Sequence, residues 1–309
     1  MTLIKDGINP ADMIMQLDAD RLAWAFANLD KTVEQCQIGI NNNIEALKVA
    51  SGVKKINLHV SLGNKGGREV IATVKGYQAN RVDTITKEKR ERITLLRHYI
   101  AGITGPEFQG VEWLNQEADD GLCQMQGLSY NSVLCSDDKD LRMVEGWHYN
   151  HRTGKYWFTD AFGWLEIQST EKTKKVWGCG TKWFWAQLLM GDQVDNIPGL
   201  PTLAVASANK WFPIKNPKNR KPKSCGAMTA YGVLETAEND DECYKRVWEC
   251  YLHTYGDEAH DRFFEQAFLL WMRREETVWD VLKFLRPLGF VYNERKHKQV
   301  LLPWTNDYD

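Results

Sequence analysis

The stretch MIMQLDAD, residues 13–20, decides how this chain is read: an apolar run stops at Asp18, and Asp20 follows directly. Met13–Leu17 suits a short buried strand, and a strand ending in carboxylates delivers charge to the rim of a core. From Val33 to Leu47, apolar residues recur at Val33, Cys36, Ile40, Ile44 and Leu47, the spacing of an amphipathic helix. Ile56, Leu58, Val60 and Leu62 alternate with polar residues, as in a second strand, and GNKGG at 63–67 breaks it. A third strand is expected at Val133–Cys135, just before SDDKDL. Strands alternating with helices predict an α/β fold with a mainly parallel, doubly wound central sheet. Ligands of such sheets sit beyond the carboxyl ends of the strands, where Asp18 and Asp138 fall.

At 309 residues the chain can form one large α/β domain or two modest ones. A hydrophobic share of 43% and a charged share of 26% are ordinary for a soluble protein. No apolar run has the length of a membrane span, and MTLIKDGINPADM carries no signal-peptide core, so a cytoplasmic protein without a membrane partner is expected. Seven cysteines, odd in number and without a CxxC pair, favour neither a disulfide framework nor a zinc site. HYNH, with His148 and His151, is too isolated to read as a metal clip.

Acidic residues gather in four short stretches: Asp18 and Asp20; Glu117, Asp119 and Asp120 in EADD; Asp137, Asp138 and Asp140 in SDDKDL; and Asp192 and Asp195 in GDQVDNIPG. Each adjoins an apolar run. Brought together in a low-dielectric cleft they would repel one another strongly, so the set implies a cation. Magnesium takes hard oxygen ligands and keeps several waters, so a few carboxylates from separate elements suffice. Two such ions about 4 Å apart can activate a water and stabilise the leaving oxygen in phosphoryl displacement. EADD at a helix start puts Glu117 and Asp120 on one face, with Asp119 beside them. Asp138 and Asp140 at a strand end are expected on one side of it. Asp192 and Asp195 close the apolar helix TKWFWAQLLM. Any one of these pairs alone reads as a helix cap or a solvated turn; four together point to a metal site.

Two basic stretches complete the inventory. RVDTITKEKRERITLLR (81–97) is helix-prone from about Thr86, and as a lone charge run it would be a solvated surface helix. Between Asn196 and Leu234 there is no acidic residue, while Lys210, Lys215, Lys218, Arg220, Lys221 and Lys223 are basic. Prolines at 213, 217 and 222 make the middle of this stretch a loop. Farther on, Phe263, Phe264, Ala267, Phe268 and Trp271 form an aromatic helix face that reads as core.

The order LDAD, GYQANR, EADD, SDDKDL and GDQVDNIPG resembles the flap endonuclease and 5′→3′ exonuclease family from about residue 11 to the C-terminus. QAFLLWMRRE and QVLLPW look most like the short bacteriophage enzymes. The resemblance implies a PIN-like nuclease core over 1–180 with a helical arch at about 81–101. It also implies a helical region over 181–309 with a helix–hairpin–helix and a basic insertion at about 202–224. By the same resemblance, Asp18, Glu117, Asp119, Asp120, Asp138 and Asp140 match the family's metal cluster, and Asp192 and Asp195 the pair for a second metal. Asp20 and Asp137 fall beside motif positions. Arg81 matches the arginine at the base of the arch, and Lys87, Lys89 and Arg90 would contact phosphates. Ile197 and Gly199 begin the hairpin, and Gly226 in CGAMTA marks its second half before a helix N-terminus suited to anions. Lys218, Arg220 and Lys221 would rest along the DNA. The implied cofactors are two Mg2+ ions, with Mn2+ as a substitute, and K+ at the hairpin. The implied partner is DNA with a single-strand/duplex junction or a 5′ end, with RNA–DNA hybrids as a further candidate. For a phage-encoded enzyme the location would be the host cytoplasm.

Three departures stand out. Asn64 takes the place of a family aspartate, Gln78 that of a lysine near the scissile phosphate, and a long basic stretch separates GLP from CGAMTA. Two further readings therefore stand beside the nuclease: a junction-binding protein of the same fold without catalysis, and a PIN-like ribonuclease.

Overall fold

The computed structural model describes residues 8–81, 85–169, 174–201, 225–275 and 280–292. Its centre is a six-stranded sheet: β1 (Ile14–Asp18), β2 (Lys55–Ser61), β3 (Phe108–Trp113), β4 (Ser132–Cys135), β5 (Gly146–Asn150) and β6 (Lys155–Thr159). The spatial order is β3-β2-β1-β4-β5-β6. The first five strands run parallel, and only β6 is antiparallel, closing the β5 edge as a hairpin. The order reverses direction between β1 and β4. In an open α/β sheet that crevice, at the carboxyl ends, is where ligands bind.

Helices cover both faces because successive side chains alternate sides. Met15 and Leu17 of β1 join Ile56, Leu58 and Val60 of β2 in one core, packed against α1 (Asp20–Phe26), α2 (Val33–Ser51) and α4 (Lys87–Ala101). The expected α2 spacing holds: Cys36, Ile40, Ile44 and Leu47 are buried. A reciprocal Thr32–Gln35 capping box starts this helix, and Gly52 ends it in the left-handed region. Leu134 of β4 faces the other core with α5 (Ala118–Leu128) and α6 (Gly180–Met190). That core continues into α7 (Ala227–Leu234), α8 (Asp240–Tyr255), α9 (Ala259–Leu270) and α10 (Asp280–Leu285). The aromatic face from Phe263 to Trp271 is fully absorbed by it.

The polar positions of β2 were expected to alternate outward, yet they are buried too. Asn57 Nδ2 and His59 Nε2 both bond Gln16 Oε1, at 3.1 and 2.8 Å, and Trp113 Nε1 donates to His59 Nδ1 at 2.9 Å. Burial drives the His59 pKa down to about 3, so the ring is neutral and both its nitrogens are used. A buried polar layer, with Asn57 Oδ1 left without a hydrogen-bond partner among the described residues, replaces apolar packing beneath the site.

A short β7–β8 ribbon (Leu165–Ser169, Lys174–Gly178) lies outside the main sheet. After α6, β9 (Gly191–Asp192) pairs antiparallel with β10 (Ile197–Pro198). At this tight turn Gly191 has φ +69°, and a Cβ on it would lie 2.3 Å from Gly199 N. Leu200 O then accepts a hydrogen bond from Cys225 N at 2.6 Å, which carries the chain into α7.

Candidate metal centre

β1, β4 and α5 bring three carboxylates to the crevice. Asp18 ends β1, and its Oδ2 accepts from Ser136 Oγ at 2.8 Å. Asp138 follows β4 and is exposed. Its Oδ1 accepts from Asp140 N at 2.8 Å. That local bond overturns the expectation that Asp138 and Asp140 share a strand side: the chain turns at Asp138, and Asp140 opens a 3-10 helix. Asp119 lies in the first turn of α5 beside Asp18, Asp138 and Glu117. Desolvation, then the neighbouring Asp20 and Asp138, raise the Asp18 carboxyl to about 6. Desolvation, then Asp18, Asp138 and Glu117, push Asp119 well above its usual range. Carboxylates this hard to ionise fit a site that receives a divalent cation.

Glu117 sits one residue before α5. It accepts from Tyr77 Oη at 2.9 Å, Arg68 Nη1 at 3.1 Å and Gln78 Nε2 at 3.3 Å. Asp120, three residues on, shares Arg68 Nη1 with Glu117, so the two lie on one face of the helix start as expected. It is fully buried and saturated: Arg68 donates at 2.7 and 2.8 Å, and Arg273 donates through N, Nε and Nη2 at 3.0, 3.1 and 2.9 Å. Burial alone would raise its pKa, but the two guanidinium groups hold it well below the usual carboxylate range. Asp120 is therefore not brought into the crevice with Asp119. Arg68 also donates to Leu269 O and Trp271 O, at 3.3 and 2.9 Å, tying the C-terminal helices to α5.

Asp140, Asp192 and Asp195 form a second group, each offering an oxygen within 4.8 Å of the others. Lys139 Nζ bridges two of them, 2.8 Å from Asp140 and 2.5 Å from Asp192. Desolvation and repulsion from Asp138, only partly relieved by Lys139, raise Asp140 to about 8. Gln187 Nε2 donates to the same Asp140 oxygen as Lys139. Asp195 pairs with Arg81 and accepts from Gln78 Nε2 at 3.0 Å. Asp20 is engaged elsewhere, by Ser61 N at 3.2 Å and by Arg97 at 2.8 Å. Asn64 Oδ1 accepts from Gly66 N at 2.9 Å, shaping the turn after β2. Both acidic groups offer oxygen donors suited to Mg2+ or Mn2+.

The chain superposes on a bacteriophage T5 protein co-crystallised with metal ions, over 95% of this chain and 97% of that one. The TM-score is 0.53 at 14% sequence identity. The fold is that of the 5′-nucleases. A zinc-bound T5 5′-exonuclease aligns over 89% of this chain and 97% of its own at 14% identity, with a TM-score of 0.46. The catalytic core of Rad2 in complex with a DNA substrate aligns over 97% and 81% at 13% identity, with a TM-score of 0.38. These two lower-scoring alignments add nothing to the fold assignment. No family model and no curated protein matches the sequence.

In this 5′-nuclease fold, Arg81 is half exposed beside the second acidic group. Lys87 and Arg90 are exposed at the start of α4, and Lys89 is partly exposed. From Ile93 onward one face of α4 joins the core through Ile93, Leu96 and Ile100, while Thr94, Leu95 and His98 stay exposed on the other. Ile197 is buried in β10, Gly199 closes against Met190, and Gly226 is exposed immediately before α7. Lys218, Arg220, Lys221 and the basic insertion lie outside the described residues. Sequence reasoning did not single out Arg68, Arg273 or Lys139. The signal for Arg273 was an arginine pair directly after an apolar helix; Lys139 stood inside SDDKDL beside Asp140, one of its two partners, while Asp192 lies far along the chain.

Proposed function

We propose that this protein is a divalent-metal-dependent 5′-nuclease that hydrolyses DNA phosphodiesters at single-strand/duplex junctions or 5′ ends, leaving 5′-phosphates. The observation that carries this reading is the convergence of Asp18, Asp119 and Asp138 at the switch point of a 5′-nuclease fold, beside the Asp140–Asp192–Asp195 group. When bound, Mg2+ or Mn2+ would supply Lewis-acid stabilisation of phosphate charge and a low-pKa water. Asp18, Asp119, Asp138 and Glu117 would hold one ion, and Asp140, Asp192 and Asp195 a second. Ser136 orients Asp18, while Tyr77, Arg68 and Gln78 orient Glu117. Asp120 we assign to the frame, because its oxygens are already committed to two buried arginines. Arg81, Lys87, Lys89 and Arg90 would meet the single strand, and the segment from Ile197 to Gly226, with K+, the duplex.

The junction-binding reading without catalysis gains one specific support: the Lys139 ammonium already bridges Asp140 and Asp192, where a second ion would sit. Product mapping on forked, nicked and RNA–DNA hybrid substrates with Mg2+ and Mn2+ separates the two. The nuclease reading expects 5′-phosphate products from the 5′ end, lost in Asp138→Asn while the fork is still bound. A wild-type protein that binds the fork yet stays inert with either metal would refute it in favour of the binder.

A further inference from the structure

Beside the carboxylate crevice lies a basic cluster that the proposed chemistry does not use. Asp137, immediately before Asp138, receives three basic groups on a single oxygen, Oδ2. They are Arg152 Nη2 at 2.9 Å, His151 Nε2 at 3.0 Å and Arg21 Nη1 at 3.2 Å. The three come from separate elements: Arg21 from the first turn of α1, His151 and Arg152 from the β5–β6 turn. Because β5 runs parallel to β4, that turn and the Asp137 loop lie on the same carboxyl edge as Asp18 and Asp138.

The charges do not cancel. Two guanidinium groups, permanently charged, face one carboxylate, so at least one positive charge remains. Donors remain as well. Arg21 Nε is buried and makes no hydrogen bond to any described residue. The Arg152 side chain is mostly exposed and commits one nitrogen to Asp137. An ion pair built only to brace a fold would match charge and saturate its donors, as Arg68 and Arg273 do: they face two carboxylates, Asp120 and Glu117, and every Arg68 guanidinium nitrogen donates. Here one carboxylate oxygen gathers three basic groups at the rim of a strongly negative crevice, which by itself would repel a polyanion.

We propose that Arg21, His151 and Arg152 form a phosphate subsite for the nucleic-acid strand lying across the crevice, with Asp137 as the post that holds the three donors in place. This rests on the nuclease reading and adds to it where the strand enters. The planar arginine fork suits phosphate oxygens, and the subsite offsets the repulsion of the acidic centre next to it.

The test is binding of a labelled 5′-forked duplex by fluorescence anisotropy, with Ca2+ in place of Mg2+, across a salt series. Arg152→Ala and Arg21→Gln are each expected to weaken binding about three- to tenfold and to lower the slope of log affinity against log salt by roughly 1. Asp137→Asn keeps an acceptor oxygen to hold the three donors while removing a negative charge from the subsite, and is expected to leave affinity equal or tighter, with no loss of slope. A bracing role predicts the opposite for that variant: Asp137→Asn would weaken binding together with the arginine variants, and all three would melt lower. That pattern overturns the proposal, as does an Arg152→Ala protein with unchanged affinity and slope. Comparing 5′-phosphorylated with 5′-hydroxyl forks assigns the source: an equal penalty on both means an internal phosphodiester, and a penalty confined to the phosphorylated fork means the terminal phosphate. If the wild-type protein binds no nucleic acid, the nuclease reading itself has failed and the subsite falls with it.

Discussion

Asp119 and Asp120 are neighbours in sequence, and the metal-free protein should respond to their loss in opposite directions. Asp120→Asn preserves shape but leaves Arg68 and Arg273 buried without their counter-charge, and five hydrogen bonds lose their ionic partner. Breaking one side of a buried pair costs about 3–5 kcal/mol. For a chain of this size, at about 1.5 °C per kcal/mol, that corresponds to a fall in Tm of roughly 5–8 °C. Asp119→Asn removes a carboxyl held well above its usual range by burial and by Asp18, Asp138 and Glu117. Relief of that repulsion is expected to stabilise by about 1–2 kcal/mol, or a Tm higher by roughly 1.5–3 °C. Both values are read by calorimetry at about pH 8 in EDTA, well above the usual carboxylate range. Adding Mg2+ should reverse the ranking of Asp119→Asn against wild type, because the variant lacks an ion ligand. Two results would sink this division of labour: an Asp120→Asn melt within about 2 °C of wild type, well under the change expected for a broken buried pair, or variants that shift in the same direction.

Three further outcomes are expected. Asp18 and Asp140 have folded-state pKa values raised to about 6 and about 8, so the folded protein holds protons that the unfolded chain has lost. Stability from these two groups is fully present below about pH 4 and declines as pH rises toward about 8. The Tm gain on adding Mg2+ should therefore grow across that window, and a gain independent of pH would contradict the assignment. Lys139→Met removes the cation between Asp140 and Asp192, and Mn2+ titration should show about tenfold tighter binding at that group, about 1.4 kcal/mol; unchanged or weaker affinity would mean that Lys139 does not compete with the ion. Replacing Arg81 and Lys87 by alanine should weaken binding to forks with a 5′ single strand and flatten its salt dependence. Equal affinity and slope would count against a strand contact at the start of α4.

The parts of this molecule that could be read from sequence are those whose physics is local. The α2 stripe, the alternation in β2 and the apolar run before Asp18 each carry their period within a few residues, and the structure realises the helix and both strands, with β2 buried on both faces. The carboxyl-edge position of Asp18 and Asp138 followed from them. What stayed hidden depends on contacts far apart in the chain. Nothing near residue 68 announces that Arg68 will meet Asp120 and the carbonyls of Leu269 and Trp271. The same distance in sequence hid the fate of Asp120, which in EADD looks no different from Asp119. The β5–β8 region, rich in aromatic and polar residues, lacks the clean alternation that revealed β2. The turn at Asp138 was misread because a side-chain bond to Asp140 N, not strand period, sets the geometry there.

The hydrogen bond from Cys225 N to Leu200 O means that the chain leaves and re-enters the fold at one point. Whatever joins Pro201 to Cys225 therefore begins and ends at adjacent points of the fold. Exchanging residues 202–224 for a short foreign linker is expected to leave Asp140, Asp192 and Asp195 where they are, because their contacts run to Lys139, Gln187, Gln78 and Arg81 and not across those endpoints. The same pair of endpoints offers a socket for an affinity tag or a fluorophore.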